Sequence, residues 1–182
     1  MNAGIDFILR RRSIRKYTSQ PVEPEKLELL LKAAMAAPSA MNCKPWEFVL
    51  VTDPGELAEF RTRLPFGNRN APAAIVVCGN PFRSFNPAAH LFWVQDCSAA
   101  TENILLAACG LGLGAVWIGI HPVGAFIRIV RQVVSLPPTI RPLSIVYVGY
   151  AEQPKPPRTQ YDPGRVYWQK HGQGPDLPPG KP

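Results

Sequence analysis

Residues 88–109 read AAHLFWVQDCSAATENILLAAC. The stretch predicts one helix of about 33 Å at 1.5 Å per residue. Gln95, Ser98 and Glu102 form a single polar stripe, with Asp96 and Asn103 beside it, and nearly everything else is apolar. A helix apolar over most of its circumference has to be covered on most sides. A subunit interface would cover it, and so would the centre of a monomeric core. The sequence leaves both open.

Working outward, WEFVLVT (46–52) and AAIVVC (73–78) predict strands before this helix, and GAVWIGI (114–120) and LSIVYVGY (143–150) predict strands after it. Four further helices are expected. A short one covers 4–11. A second covers 24–36, with Pro24 at a first helical position and Leu27, Leu30, Leu31 and Ala34 at helical spacing. A third follows the capping pattern DPGE (53–56) to about Arg63, and a fourth covers 123–134. Strands and helices alternate without a regular βαβ repeat, and no linker divides the chain.

The chain has 182 residues, 46% of them hydrophobic, which suits one domain with a real core. A formal charge of +7 favours anionic partners without choosing among them. Eight of the 21 prolines crowd residues 151–182, so that stretch is expected to be an extended arm of the single domain. Cys43, Cys78, Cys97 and Cys109 form no C-x-x-C pair and have no histidine at metal spacing, so reduced core thiols and no metal are expected. No signal peptide and no run of about 20 apolar residues is visible, and a cytoplasmic location is the expectation.

GLGLG (110–114) follows a helix and opens a strand, the reverse of a dinucleotide-binding fingerprint, and reads as a helix C-cap and tight turn. His90, His121 and His171 have no metal-spaced partner, and no nucleophile or acid–base motif is present. No catalytic side chain announces itself, so in an enzyme a cofactor would carry the chemistry. The basic run LRRRSIRKY (9–17) has five cations among nine residues. Extended, it places Arg11, Ser13 and Arg15 on one face, two guanidiniums flanking a hydroxyl. A phosphate pocket, a solvated turn and a nucleic-acid arm all remain readings of it. APSAMNCKPW (37–46) is a rigid loop offering Ser39 and Asn42, or simply a connection. KPPRTQYD (155–162) sets Lys155 and Arg158 on a stiff arm that could close over an anion.

In this order, RRSIRKY, APSAMNCKPWEFVLVTD, QDCSAATENILLAACGLGLGAVWIGIHP and IVYVGYAEQPKPPR resemble the FMN-dependent nitroreductase family, in its short, compact branch. The resemblance implies an α+β fold, with a mostly antiparallel central sheet flanked by helices, in an intertwined homodimer with helix 88–109 at its core. It implies FMN as cofactor and NAD(P)H as reductant. Arg11, Arg12, Ser13 and Arg15 would hold the FMN phosphate and ribityl chain. Pro38, Ser39, Ala40 and Asn42 would come across the dimer to the isoalloxazine. Trp117, Ile118 and Gly119 would lie beside the ring, with a backbone N–H there facing flavin N5. Lys155 and Arg158 would return to the phosphate. Arg10 and Lys16 would be the expendable charges.

Two positions depart from the family pattern. Lys44 stands where a Gln is common, and either raises the flavin potential or faces solvent. Gln160 stands where another basic residue is common. The implied activity is ping-pong transfer from NAD(P)H to small-molecule acceptors: nitroaromatics, quinones or activated alkenes. No nucleic-acid or membrane partner is implied. The alternative is an FMN-binding protein without NAD(P)H turnover. A substrate lid would fall around 64–70 and 80–90.

Overall fold

The structure, a computed structural model, describes residues 3–174; the arm expected over 151–182 therefore lies partly outside the described residues. Five helices run α1 (Ala3–Arg10), α2 (Pro24–Met35), α3 (Pro54–Arg63), α4 (Ala88–Gly110) and α5 (Gly124–Val133). The strands are β1 (Trp46–Val51), β2 (Ala73–Gly79), β3 (Gly114–Gly119) and β4 (Arg141–Gly149). They form one sheet in the order β1-β2-β4-β3, with every pairing antiparallel. The α+β expectation holds, and each element lies within a residue or two of where the sequence places it.

The strand pleat builds three layers. Ala73, Ile75 and Val77 of β2 face α2 and α4, while Ala74, Val76 and Cys78 face α3 and α5. This is why β2 reads as an unbroken apolar run: all seven of its residues are buried. On β4, Val146 and Val148 point to the first face and Ile145 and Tyr147 to the second. A register shift at Val77/Cys78 lets Leu143 join the first face too.

One side of helix α4 is covered within its own chain. Trp93, Cys97, Ala100, Ile104 and Ala108 enter the core on the sheet, and Asn103 Nδ2 donates to Ala33 O of α2 at 2.9 Å. Leu91 and Phe92, near its start, remain exposed. It ends as GLGLG predicts: Leu113 N donates to Ala108 O at 2.8 Å, and Gly112 takes φ +73°. Asp53 caps α3, its Oδ1 accepting from Gly55 N at 2.8 Å and Glu56 N at 3.0 Å.

The basic segment is seated on the sheet edge by its two apolar residues. Ile14 N donates to Ala115 O at 2.9 Å, and Ser13 forms a parallel bridge with Ala115. Tyr17 is buried, its hydroxyl donating to Ile14 O at 2.6 Å. Asn70 clamps the Tyr17 backbone from both sides, Tyr17 N donating to Asn70 Oδ1 at 3.0 Å and Asn70 Nδ2 donating to Tyr17 O at 2.6 Å. Arg61 holds that loop in turn, donating to Arg69 O at 2.8 Å and Ala71 O at 3.0 Å.

Ile14 packs so closely on β3 that a Cβ at Gly114 would lie 2.7 Å from Ile14 Cγ2. Gly114→Ala should therefore destabilise the fold by about 1–3 kcal/mol, the usual range for overpacking. Urea unfolding of the two proteins measures it; equal midpoints would show that the segment does not bear on the strand.

Candidate functional site

The basic run and the arm meet. Arg11, Arg12, Ser13 and Arg15 line a cleft of about 300 Å³ together with Lys155, Arg158 and Gln160. Backbone bonds bring the two stretches together. Glu152 N donates to Lys16 O at 3.2 Å, and Arg158 N donates to Leu9 O at 3.3 Å. Lys155 Nζ donates to Ser13 O at 3.0 Å, and the Arg12 guanidinium bonds Pro156 O. Arg158 Nη2 donates to Gln160 Oε1 at 3.2 Å, so the residue departing from the family pattern still takes part in the cleft.

Five cations thus face one cleft. The carboxylate paired with any of them among the described residues is Glu102 of α4, 3.4 Å from Arg11 Nε. Burial pushes the Glu102 carboxyl up, and Arg11 opposes the shift. Of the expected phosphate-holding residues, all four of the basic run and both of the arm converge here. Arg10 and Lys16 are exposed and line neighbouring grooves instead.

The second expected group, Pro38, Ser39, Ala40, Asn42 and Lys44, is not part of this cleft. Its loop folds on α4. Ala40 N donates to Asp96 Oδ1 at 2.9 Å, Lys44 N to Ser39 Oγ at 3.0 Å and Cys43 N to Ala40 O at 3.0 Å. Met41, Asn42 and Lys44 all take left-handed conformations, with φ of 49°, 54° and 48°. Each is costly for a residue with a Cβ. Cys43 is buried between them, and Asn42 and Lys44 are exposed.

The third group lies on β3, the edge of the sheet. The Ala115 carbonyl points outward to Ile14 N, so the two-residue repeat turns the backbone N–H and C=O of Trp117 and Gly119 outward as well. Ile118 is buried on the α3/α5 face, Trp117 is half-buried and Gly119 is exposed. A Cβ at Gly119 would meet nothing within 4 Å.

Sequence reasoning missed two supports. Asn70 fixes the basic segment and Asp96 fixes the loop. Asp96 is visible in the sequence as a carboxylate beside the polar stripe, but no spacing rule connects it to Ala40. Asp96 Oδ2 is buried with no hydrogen-bond partner among the described residues.

The described residues contain no group of three or more His, Cys, Asp or Glu that could hold a metal ion, and no helix long and apolar enough to cross a membrane. Cys78 and Cys97 are buried free thiols, and desolvation pushes Cys78 up to about 12. They are core residues rather than nucleophiles.

The nitroreductase family matches residues 8–65 and 60–150. The chain belongs to that family. A relative from Archaeoglobus fulgidus, provisionally named NADH dehydrogenase/NAD(P)H nitroreductase, is 42% identical over 93% of this chain and 99% of its own length. The crystal structure of a protein given the same provisional name, from Bacteroides thetaiotaomicron, superimposes with a TM-score of 0.87 at 40% identity, over 94% of this chain and 99% of that one. An FMN-dependent nitroreductase from Clostridium difficile gives a TM-score of 0.82 at 32% identity, covering 91% of this chain and 99% of that one.

Burial raises the Asp96 carboxyl above its ordinary value of 3.8, and the Ala40 N–H opposes that shift. A carboxyl raised in the folded state binds its proton there at a higher pH than in the unfolded chain. Its contribution to stability is complete below the unfolded value and is lost as pH rises through the folded one. Asp96→Asn keeps an acceptor for Ala40 N and removes the buried charge. At pH 7 this variant should resist urea at least as well as the wild type. The wild type should gain on it as pH falls towards 4. A variant clearly weaker at pH 7 would show that the charge itself holds the loop.

Proposed function

We propose that the chain is an FMN-dependent NAD(P)H oxidoreductase whose acceptors are small electron-poor molecules: nitroaromatics, quinones or activated alkenes. The observation carrying this reading is the five-cation cleft with a single paired carboxylate. Such a cluster fits a dianionic phosphate. Guanidiniums give paired charge-assisted donors, Ser13 a short neutral one, and Lys155 a point charge. Closure of the run by residues 155–160 favours one small anion over an extended nucleic acid, which needs an open track.

When bound, FMN supplies two-electron chemistry between NAD(P)H and the acceptor. The chain's own residues hold and orient it. The cleft fixes the phosphate end. The outward N–H groups of Trp117 and Gly119 are donors available along the ring, and the missing side chain at Gly119 lets a flat ring approach the strand. One open site used in turn by reductant and acceptor gives ping-pong kinetics.

The homodimer belongs to the same reading. Ile5 and Ile8 of α1, Leu91 and Phe92 of α4, and Tyr167 and Trp168 of the arm expose large apolar surface that a second copy would cover. The loop from Pro38 to Lys44 would then complete the partner's site, with Lys44 either at the ring or in solvent. The location we propose is cytoplasmic, consistent with the free cysteines.

The purified protein should be yellow, or become so with FMN, and NAD(P)H should bleach it anaerobically. A flavin-loaded protein that NAD(P)H does not bleach would favour a non-catalytic FMN carrier. Arg15→Ala removes a charged contact worth about 1.5–3 kcal/mol and should weaken FMN retention roughly tenfold or more. Arg10→Ala should change it little. Equal effects, read by equilibrium dialysis, would return the run to a solvated basic turn.

A further inference from the structure

The cleft holds more positive charge than one phosphate monoester neutralises. Five cations line it, and a monoester carries about −1.5 to −2 at pH 7. The surplus has a place to act. A second hollow of about 240 Å³ adjoins the cleft, lined by Ile14, Arg15, Lys16, Glu152, Gln153 and Lys155. Arg15 and Lys155 belong to both hollows, so the wall between them is cationic. Lys16 adds a third cation to the lining.

The rest of the lining suits a base rather than a second bare phosphate. Ile14, otherwise packed into the core, is the apolar residue of the lining. The Arg15 guanidinium is a plane on which an aromatic ring can stack. The Gln153 amide and the Glu152 carboxylate offer a donor and acceptors to a purine edge. The Glu152 N to Lys16 O bond at 3.2 Å and the Lys155 Nζ to Ser13 O bond at 3.0 Å tie opposite walls of the hollow together. The volume lies below the roughly 300–1,000 Å³ of pockets for whole drug-sized ligands, and is suited to a nucleoside-sized fragment.

We propose that this hollow is an adenosine-phosphate subsite, with the phosphate shared among Arg15, Lys155 and Lys16. The proposal rests on the flavin reading only in assigning the neighbouring cleft to the FMN phosphate. Two molecules present this chemistry. One is FAD, whose adenylyl half would follow the flavin phosphate across the shared wall. The other is NADPH, through its 2′-phosphorylated adenosine.

Lys16→Ala tests both sources. Flavin-fluorescence titration of the flavin-free protein compares FMN with FAD, and steady-state assays of the FMN-loaded protein compare NADPH with NADH. Losing one phosphate–lysine contact should cost about fivefold. A loss confined to FAD assigns the subsite to the flavin dinucleotide. A rise in KM confined to NADPH assigns it to the reductant. Arg128→Ala, which removes the same charge from an exposed position on α5, should change neither. Calorimetric titration with adenosine 2′,5′-bisphosphate needs no flavin and should show the same loss in Lys16→Ala. Failure of the wild type to bind either flavin would sink the proposed function while the calorimetry still decides the subsite. A Lys16→Ala variant with unchanged FAD/FMN and NADPH/NADH ratios and unchanged bisphosphate affinity overturns the subsite.

Discussion

The backbone seam along residues 9–18 is the constraint on which the rest of the site depends. On one side Ile14 bonds Ala115 of β3; on the other, Leu9 O and Lys16 O accept from Arg158 N and Glu152 N of the arm, and Thr18 N donates to Tyr150 O. These bonds, and the burial of Tyr17, force Arg11, Arg12 and Arg15 to share a cleft with Lys155 and Arg158. The cations are not gathered by carboxylates, since one ion pair, Arg11 with Glu102, reaches the group among the described residues. Gathering like charges opposes folding, and the packed core and the seam have to offset that cost. A bound anion removes it. Ligand and fold are therefore thermodynamically linked here: whatever anion occupies the cleft stabilises the seam, by an amount set by its concentration relative to Kd.

Helix α4 couples that cationic end to the loop at 38–44. Glu102 reaches the first and Asp96 the second, and six residues of helix separate them by about 9 Å along the axis. The loop holds three left-handed residues, none of them glycine, each costing about 1–3 kcal/mol. Such backbone persists only when its surroundings fix it. Here the fixing groups are the Asp96 carboxylate, the Ser39 hydroxyl and the burial of Cys43. The strained loop thus rests on the one helix that also reaches the cationic cleft.

This division explains what the sequence made legible. Period-two and period-3.6 patterns report which face of an element is buried, and they placed β1–β4 and α2–α5 well. The Asp53 cap and the Gly112 turn are local chemistry, readable from neighbouring residues. Convergence of 11–15 with 155–160 is not local. Nothing in the spacing of Ser13 and Lys155 says that they bond, so the choice of a phosphate among the readings of the run rests on the resemblance, and the contact on the fold. The left-handed run at Met41, Asn42 and Lys44 carries no glycine to announce it. Asn70 is invisible for the opposite reason, since an Asn in a loop is the commonest of turn residues. Helix α4 needs cover on most sides, and its own sheet, α2 and the loop supply much of it.

An edge strand exposes a row of backbone donors and acceptors, and proteins blunt such edges to prevent pairing with other chains. Strand β3 is blunted over its first half, where residues 12–14 lie along it and Ile14 bonds Ala115. Beyond that, the chain leaves Trp117 and Gly119 with their backbone groups turned outward, on the same strand whose start borders the basic segment. Covering the remainder would have required only a few more residues of extended chain in register. Instead the edge ends at a glycine with open space where its Cβ would be. Keeping an edge open, flat and free of side-chain bulk is poor design for solubility and good design for a planar ligand that supplies its own hydrogen-bonding atoms. Under the flavin reading we propose, the open half of this edge would take the flat ring and the cation cleft its phosphate.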